Sequence, residues 1–446
     1  MTNSRRGAAL AVLLTAEAMN LLDATIVQVA APAIDADLRG GGSAIQWYGA
    51  AYTLPFAVLL ITGGRLGDLI GRKRIFQIGV TGFVLTSLWC ALAGSAGLLI
   101  TARALQGAAA ALIIPQTIGL IRSMFADHEL SRAFGWIGPV MGLSAVCGPL
   151  LGGVLTHADL FGSSWRAVFL VNLPLGLVVL AASPLLSEDR AAHRPRFDFA
   201  GTLLASLGTG LIVYPLIEGD PLWTIAGVAA LVLFGLHQRW RSRQGRSPLV
   251  ELSLFRDHGF PAGLATALLF FAMVTGFTLV VALQVQLAEH RDVLAAGLTL
   301  VPWSVGAGVA SVISGRLLVP RFGTRVPFAG LAIMLAGLLG YALGAPTLLV
   351  CGLGQGLFTS AFFTATLRRV GPAETGSAAG LLNAVQQLGG AVGIALLGNV
   401  FLTSGVTAAC WVAGALLAGT VVTTAVLTRP VGSAPSRRLP EVPARR

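Results

Sequence analysis

The polar residues that could do chemistry in this chain lie in apolar surroundings close to its start. Glu17, Asn20 and Asp23 are three residues apart, so on a helix each is rotated by about 60° from the last and together they form a slanting polar ridge. A carboxyl group in a low-dielectric cavity holds a proton more tightly than one in water, and access from alternating sides would load and unload that proton. The spacing therefore predicts a proton site at Asp23 or Glu17. A fixed ion pair with Arg103, or a hydrogen-bonded structural acid, is the alternative.

The composition indicates which elements must position these residues. The chain has 446 residues, of which 55% are hydrophobic and 11% are charged, and its mean hydropathy is +0.79. Soluble globular proteins carry about 25% charged residues, so this chain has too little polar material to cover a surface that faces water. We therefore expect a membrane protein, in which the 56 glycines let helices approach closely within lipid.

Several other classes of protein are disfavoured. The sequence has no Gly-Lys-Ser/Thr phosphate loop, no paired-histidine metal motif and no Gly-x-Ser-x-Gly elbow. We therefore expect that the protein is not an enzyme and binds no metal or cofactor. Because the phosphate loop that would bind ATP is missing, an ion gradient is the natural energy source. The net charge of +11 comes from arginines in short segments between apolar runs, which argues against a nucleic-acid partner. The four cysteines are expected to be unpaired core residues, and the six histidines to be mostly solvated loop residues.

The apolar runs predict fourteen membrane-spanning helices, because a helix needs about 20 apolar residues to cross the hydrocarbon core. The first run continues past Asp23 to Ile34, as expected of a full span rather than a cleaved signal. The predicted spans are residues 8–33, 45–63, 74–96, 99–121, 134–156, 166–186, 200–217, 221–238, 262–287, 293–315, 326–344, 346–366, 377–402 and 407–428.

The basic residues predict the topology. With both termini in the cytoplasm, 26 of the 30 lysines and arginines fall in cytoplasmic segments, whereas Arg39, Arg166 and Arg291 fall outside and Arg103 lies within a span. Loops that remain in the cytoplasm carry the excess of Lys and Arg, so this assignment is favoured over its reverse. We expect a multi-pass protein of the cell (inner) membrane.

Two longer polar stretches, residues 187–199 and 239–259, divide the spans into six, two and six. The predicted organisation is an N-terminal six-helix bundle (residues 1–190), an inserted helix pair (191–245), a C-terminal six-helix bundle (246–428) and a disordered cytoplasmic tail (429–446). An internal echo supports two related halves: Gly64-Arg65-Leu66 after span two matches Gly315-Arg316-Leu317 after the second span of the later half. Duplicated halves with a site at their interface are a common transporter plan.

Six segments now resemble one family, the major facilitator superfamily, and within it the fourteen-span drug/proton antiporters. The segment from Gly64 to Arg74 resembles the signature loop between the second and third spans. The residues from Leu22 to Val27, running to Pro32, resemble the first-span motif. The other matches are the fourth-span basic motif from Arg103 to Gly107, the fifth-span antiporter motif from Gly142 to Gly153, and the thirteenth-span segment from Ser377 to Gly393. The entry to the sixth span also matches, through Trp165, Arg166, Phe169, Asn172, Pro174 and Gly176.

The resemblance implies proton-coupled multidrug efflux by alternating access. Asp23 would carry the proton, and Arg103 would tune the pKa of its carboxyl group. Asp68, held near Arg72, would contact the start of span thirteen and close the cytoplasmic face. The gating set is Gly64, Asp68, Gly71 and Arg72, and the antiporter motif consists of Gly142, Gly148, Pro149, Gly152 and Gly153, which would form a bendable, closely packed span. Glu17 is not part of the family pattern, so its role rests on burial alone.

Polar and aromatic residues within the spans are candidate substrate contacts, with interhelical hydrogen bonding as the alternative for each. They are Asn20, Gln106, Gln116, Gln284, Trp303, Gln355, Asn383, Gln386 and Gln387. A mostly apolar cavity with few polar anchors suits lipophilic or amphipathic small molecules. We expect a monomer in the lipid bilayer. The rival functions are transport of a specific metabolite, in either direction, and a non-transporting membrane enzyme or receptor.

Overall fold

The computed structural model describes residues 3–126, 129–130, 133, 136–159, 162–189, 198–220, 222–246, 248–255, 257–370 and 374–429. The described residues form helices and connecting turns, with no β-strand among them. The predicted tail beyond Arg429 lies outside this range, as do most residues of the first long polar stretch.

The helices follow the predicted spans closely. Their bounds are α1 Asn3–Leu38, α2 Gly42–Ile70, α3 Arg72–Leu92, α4 Ala96–Met124, α5 Ile137–His157, α6 Ser164–Leu185 (a series of short helical segments), α7 Phe199–Glu218, α8 Leu222–Arg243, α9 Gly259–Leu283, α10 Val293–Ile313, α11 Arg325–Ala342 and α12 Leu348–Leu367. Five-residue π-helical segments extend α9 to Ala288 and α10 to Leu318.

The last helical run, Thr375–Leu427, contains two spans. It has 53 residues, so as one straight helix it would be roughly 80 Å long, far more than the hydrocarbon core of a bilayer. Gly405 interrupts it with φ 80° and ψ −177°, a backbone conformation that residues with a side chain rarely adopt. We call the part before Gly405 α13 and the part after it α14. Over the described residues the predicted fourteen-span, all-α fold is confirmed.

The spans form two helical halves. In the first half α1 packs on α5 and α6, and α4 packs on α2 and α3; in the second, α9 packs on the α13–α14 run and α12 packs on α10 and α11. Contacts between α2 and α13, and between α5 and α10, join the halves. The ion pair and the cavity described below lie within the first half and where the two halves meet, respectively.

The inserted helix pair lies at the edge of this assembly. α7 packs against α2 and α13, and α8 packs mainly on α7. The outer face of α8 exposes a row of large apolar side chains, namely Leu222, Ile225, Val228, Val232 and Leu236. A surface of this kind is suited to lipid.

Candidate functional site

A buried ion pair lies at the centre of the first half. Asp23 of α1 is 0% exposed and Arg103 of α4 is 1% exposed, with 2.5 Å between Asp23 Oδ2 and Arg103 Nη1. Two amides also donate to Asp23 Oδ1: Gln106 Nε2 at 2.9 Å and Asn172 Nδ2 at 2.7 Å. Since a charge buried in a low-dielectric interior is costly unless it is paired and hydrogen-bonded, these donors make the ionised carboxylate tolerable there.

Arg103 is held from every side. Its Nε donates to the backbone oxygen of Tyr48 at 3.0 Å and its Nη1 donates to Gln106 Oε1 at 2.7 Å. The guanidinium carbon lies 4.4 Å from the ring centroid of Tyr52 and 5.7 Å from that of Phe169. These contacts hold the Arg103 guanidinium in place through α2, α4 and α6, and none of them involves Asp23.

Close packing of α2 on α4 brings these groups together. Gly107 lies one helical turn after Arg103, and a Cβ atom at this position would lie 2.0 Å from the backbone oxygen of Tyr52. Further along, a Cβ at Gly63 would lie 2.2 Å from the backbone oxygen of Ala111. Small residues at such crossings let helix backbones touch within lipid.

Gly107→Ala is expected to destabilise the protein, because the added methyl group meets backbone that cannot rotate away. The effect should be about 1–3 kcal/mol or more, as for other overpacked cores. Gly97→Ala on the same helix is the matched control, since a Cβ there has no heavy atom within 4 Å. Thermal unfolding of the purified protein in detergent would measure both. Equal melting temperatures for the two variants would contradict the packing argument.

Glu17 and Asn20 lie on the same helix but have a different environment. Glu17 is 8% exposed and, among the described residues, has no ion-pair partner; Thr117 of α4 faces its carboxyl group. Asn20 is 2% exposed, and neither its amide nitrogen nor its amide oxygen has a hydrogen-bond partner in the described part of the chain. The predicted ridge is therefore buried, but Arg103 binds only its Asp23 end.

A cavity of about 390 Å³ separates the two halves at one end of the assembly. We call this the basic end, since Arg65, Arg72 and Arg122 line the cavity there. Of the candidate substrate contacts, Gln116 and Asn383 line its opposite walls. At the other end the halves touch: Gln286 Nε2 of the α9 extension donates to the Val29 oxygen of α1 at 2.9 Å.

The predicted gating residues form a cluster within the first half. Arg72 binds Asp68 at 2.9 Å and Asp189 at 2.7 Å. Asp68, Ser377 and Gly380 all line the cavity, and in the described part of the chain no ion pair or hydrogen bond joins Asp68 to the start of span thirteen in this conformation. Gly71 has φ 122°, and a Cβ there would lie 2.5 Å from Glu188 Oε1, so this turn requires glycine. Gly64 has only an ordinary contact with Pro115.

The predicted antiporter motif lies on α5, between α1 and α10. A Cβ at Gly148 would lie 1.9 Å from Thr25 Oγ1, one at Gly152 2.9 Å from the Ile26 oxygen, and one at Gly153 3.0 Å from the Val293 oxygen. Pro149 lies within the helix, and a Cβ at Gly297 of α10 would lie 2.5 Å from its oxygen. The expected close packing holds for these positions but not for Gly142, where a Cβ would meet nothing within 4 Å.

The other polar candidates are dispersed. Gln116 Nε2 donates to the Gly63 oxygen at 2.8 Å, Trp303 Nε1 donates to Gln355 Oε1 between α10 and α12, and Asn383 Nδ2 donates to the Ala379 oxygen at 3.1 Å. Gln284, Gln386 and Gln387 are partly buried, and Gln386 Oε1 has no partner among the described residues. Interhelical or intrahelical hydrogen bonding thus accounts for four of these side chains in this conformation: Gln116, Trp303, Gln355 and Asn383.

Sequence reasoning missed several polar residues. Ser87 accepts a hydrogen bond from Gln106, whereas Asn172, which donates to Asp23, belongs to the sixth-span segment that resembles the family. His237 was expected to be a solvated loop residue, but it lies in α8, where its Nε2 is 2.9 Å from Asp198 Oδ1 and its side chain is only 19% exposed. Asp198 lies in the polar stretch before α7, but it is only 1% exposed. No local signal indicates the contacts of Ser87, Asp198 and His237, because their partners come from other parts of the chain.

The fold and this site define a class, the multi-pass α-helical membrane transporter, in which two helical halves meet around a polar interior. The chain belongs to the Major Facilitator Superfamily, whose family model matches residues 13–394. It is therefore a transporter of small molecules and not an enzyme, as the sequence predicted.

Individual proteins support this assignment. The chain is 45% identical over 420 residues to a probable actinorhodin transporter of Streptomyces coelicolor, covering 89% of this chain and 73% of that protein. It is 34% identical over 404 residues to the multidrug resistance protein Stp of Mycobacterium tuberculosis, covering 86% and 73%. In structure it is similar to a bacterial homologue of the human lysosomal transporter Spinster, with a TM-score of 0.66, 18% identity and coverage of 96% and 95%.

Proposed function

We propose that this protein exports small lipophilic or amphipathic compounds, including antibiotics, from the cytoplasm in exchange for protons. Export is supported by its similarity to proteins named for actinorhodin transport and multidrug resistance. Proton coupling is supported by the ion pair of Asp23 and Arg103, which places a carboxylate at the junction of α1, α4 and α6. An ionisable pair in the interior of a membrane protein marks an ion pathway more often than a purely structural contact.

In the proposed mechanism Asp23 carries the proton and Arg103 is its counter-charge. Proton binding at Asp23 removes the negative charge that holds the guanidinium, while Tyr48, Gln106 and Tyr52 keep Arg103 in place. α1 is then released from α4 and α6, and it can move with α5, which it packs against across Gly148 and Gly152. Because α5 also packs on α10, a shift of α1 is transmitted to the second half.

The side of the membrane to which the cavity opens follows from the orientation of the two ends of the assembly. We assign the basic end to the cytoplasm, because its loops hold the excess of arginine. With this assignment the described conformation faces the cytoplasm, and substrate would enter the cavity between Gln116 and Asn383. Asp68 would contact α13 only when this cavity closes, and Glu17, which lies nearer the basic end than Asp23, would exchange protons with the cytoplasm.

Transport of one specific metabolite is the second candidate function. The similarity to a protein named for a single compound, actinorhodin, favours it, since a dedicated exporter would share both the fold and the ion pair. A susceptibility panel separates the two: a multidrug exporter protects cells against several unrelated compounds, whereas a dedicated exporter protects against one.

Proton coupling and direction can be measured together in inside-out vesicles that contain the purified protein. With an acidic lumen, uptake of a compound identified by the panel should rise several-fold over the rate without a gradient, and a protonophore should abolish the increase. Vesicles without protein are the control for passive entry of the compound. An uptake rate that does not change with the pH gradient would refute proton coupling. Uptake that rises with an alkaline lumen instead of an acidic one would reverse the assigned direction of transport.

A further inference from the structure

A buried polar cluster joins the two inserted helices at the basic end. Asp198 caps α7 by accepting from the Gly201 amide at 2.9 Å, and its other oxygen accepts from Gln238 Nε2 of α8 at 2.9 Å. His237 and Arg241 lie 2.9 and 3.4 Å from Asp198 Oδ1. Burial raises the pKa of the Asp198 carboxyl group, but these hydrogen bonds and the Arg241 charge outweigh it and leave the pKa below its usual value. The Asp198 carboxylate is thus ionised at neutral pH.

Gln238 connects this cluster to the segment that leads into the second half. We call residues 248–255 the linker, since they lie between α8 and α9. Gln238 Oε1 accepts from the Leu249 amide at 2.6 Å and from the Val250 amide at 3.4 Å. On the other side, Arg65 of α2 donates to the Pro248 oxygen. The linker backbone is therefore held both by the inserted pair and by the first half.

The linker also packs against both halves. Val250 and Leu254 are buried in an apolar cluster with Phe260 of α9 and Leu381 of α13, and Ile61 of α2 packs against that cluster. Two other linker residues, Leu249 and Glu251, line the cavity at the basic end together with Gln116 and Asn383. The linker therefore closes the side of the cavity where α2 and α13 diverge.

We propose that the linker is a wall of the substrate pathway and that the inserted helix pair positions it through Gln238. Leu249 and Glu251 would then contact substrate on its way into the cavity, with Glu251 favouring compounds that carry a positive charge. The inference relies on the proposed export function only in identifying the cavity as the substrate pathway. It gives α8, which otherwise contacts mainly α7, a role in shaping what the transporter accepts.

Cysteine labelling tests the position of the linker without any transport. Glu251→Cys would be introduced into a variant without the four native cysteines and labelled in inside-out vesicles with a membrane-impermeant maleimide. Gln238→Ala should raise the labelling rate roughly tenfold, as expected when buried backbone amides lose their acceptor. Gln244→Ala, an exposed glutamine at the same end of α8, is the matched control and should leave the rate unchanged.

A second variant guards against misfolding of the first. Arg65→Met removes the linker contact on α2 and should also raise the labelling rate, while the melting temperature in detergent shows that each variant is folded. If folded Gln238→Ala and Arg65→Met both label at the control rate, the linker is not held as proposed and the inference is overturned.

Transport of two dyes tests the contact with substrate. Glu251→Gln should raise the KM for the cation ethidium several-fold, leave the KM for the anion fluorescein unchanged or lower, and change kcat little in either case, since a charge at the entrance acts on binding. Equal changes for both dyes would overturn the assignment of Glu251. If neither dye is transported, the export proposal fails for these compounds. The inference is then tested by adding ethidium to Glu251→Cys before the maleimide: slower labelling supports contact between ethidium and residue 251, and an unchanged labelling rate overturns it.

Discussion

Asp23→Asn is expected to abolish proton-driven efflux while the protein remains folded in the membrane. Asparagine has nearly the same shape and can still accept hydrogen bonds from Gln106 and Asn172, but it cannot take up or release a proton. Gradient-driven transport should fall by roughly 100-fold or more, as is typical when a group that transfers protons is removed. Exchange of labelled for unlabelled substrate without a gradient should persist, because the neutral amide resembles the protonated carboxyl group, the state in which α1 is free to move while substrate is bound.

Asp37→Asn is the matched control for this experiment. Asp37 lies on the same helix, but its side chain is 50% exposed and it binds Arg166 at the opposite end of the assembly. An exposed ion pair contributes at most about 1 kcal/mol, so this variant should keep most of its gradient-driven transport. Both rates would be measured in the same vesicle preparation at equal protein content. Gradient-driven transport by Asp23→Asn at the rate of the unsubstituted protein would refute the proposed proton site.

Arg103→Gln is expected to cause the largest loss of stability. It leaves the buried Asp23 carboxylate with two neutral amide donors and no cation, and breaking a buried ion pair in this way costs about 3–5 kcal/mol. The cost should appear as a lower melting temperature in detergent and as less folded protein in the membrane.

The double variant Asp23→Asn with Arg103→Gln distinguishes charge from packing. Without the carboxylate there is no uncompensated charge, so the double variant should be more stable than Arg103→Gln alone, although neither should couple transport to protons. A sum of independent losses would mean that Arg103 stabilises the fold through Tyr48 and the aromatic rings, and not through Asp23.

The family segments contained the members of this ion pair and two of its polar neighbours, Gln106 and Asn172, but not Ser87. Asp23, Arg103 and Gln106 each belong to a recognisable segment, and the structure brings them together as expected. Asn172 donates to Asp23 from 149 positions away, and Ser87 accepts from Gln106 in a third helix. Spacing along one helix shows which residues share a face, whereas contacts between helices depend on how closely each pair of backbones approaches, here through Gly107 against Tyr52.

The polar cluster around Asp198 shows the same limit more strongly. A residue just before a helix is expected to act as an exposed cap, and Asp198 does cap α7. Its burial results from α8 folding back on α7 and placing His237, Gln238 and Arg241 over it. The sequence alone could not reveal this, because the position of the end of α8 over Asp198 depends on how α8 packs along α7.

The sequence by itself determined the number of spans, the all-helical fold and the family, because lipid requires each crossing segment to satisfy its backbone internally and leaves a long apolar run as the signature. Tertiary structure alone decided that Arg103 pairs with Asp23, while the described residues offer no ion-pair partner to Glu17 and no hydrogen-bond partner to the Asn20 amide. It also decided that Asp68 binds Arg72 and that the linker borders the cavity. These outcomes follow from the relative placement of helices that are far apart in sequence, and that placement is set by close packing across many residues at once.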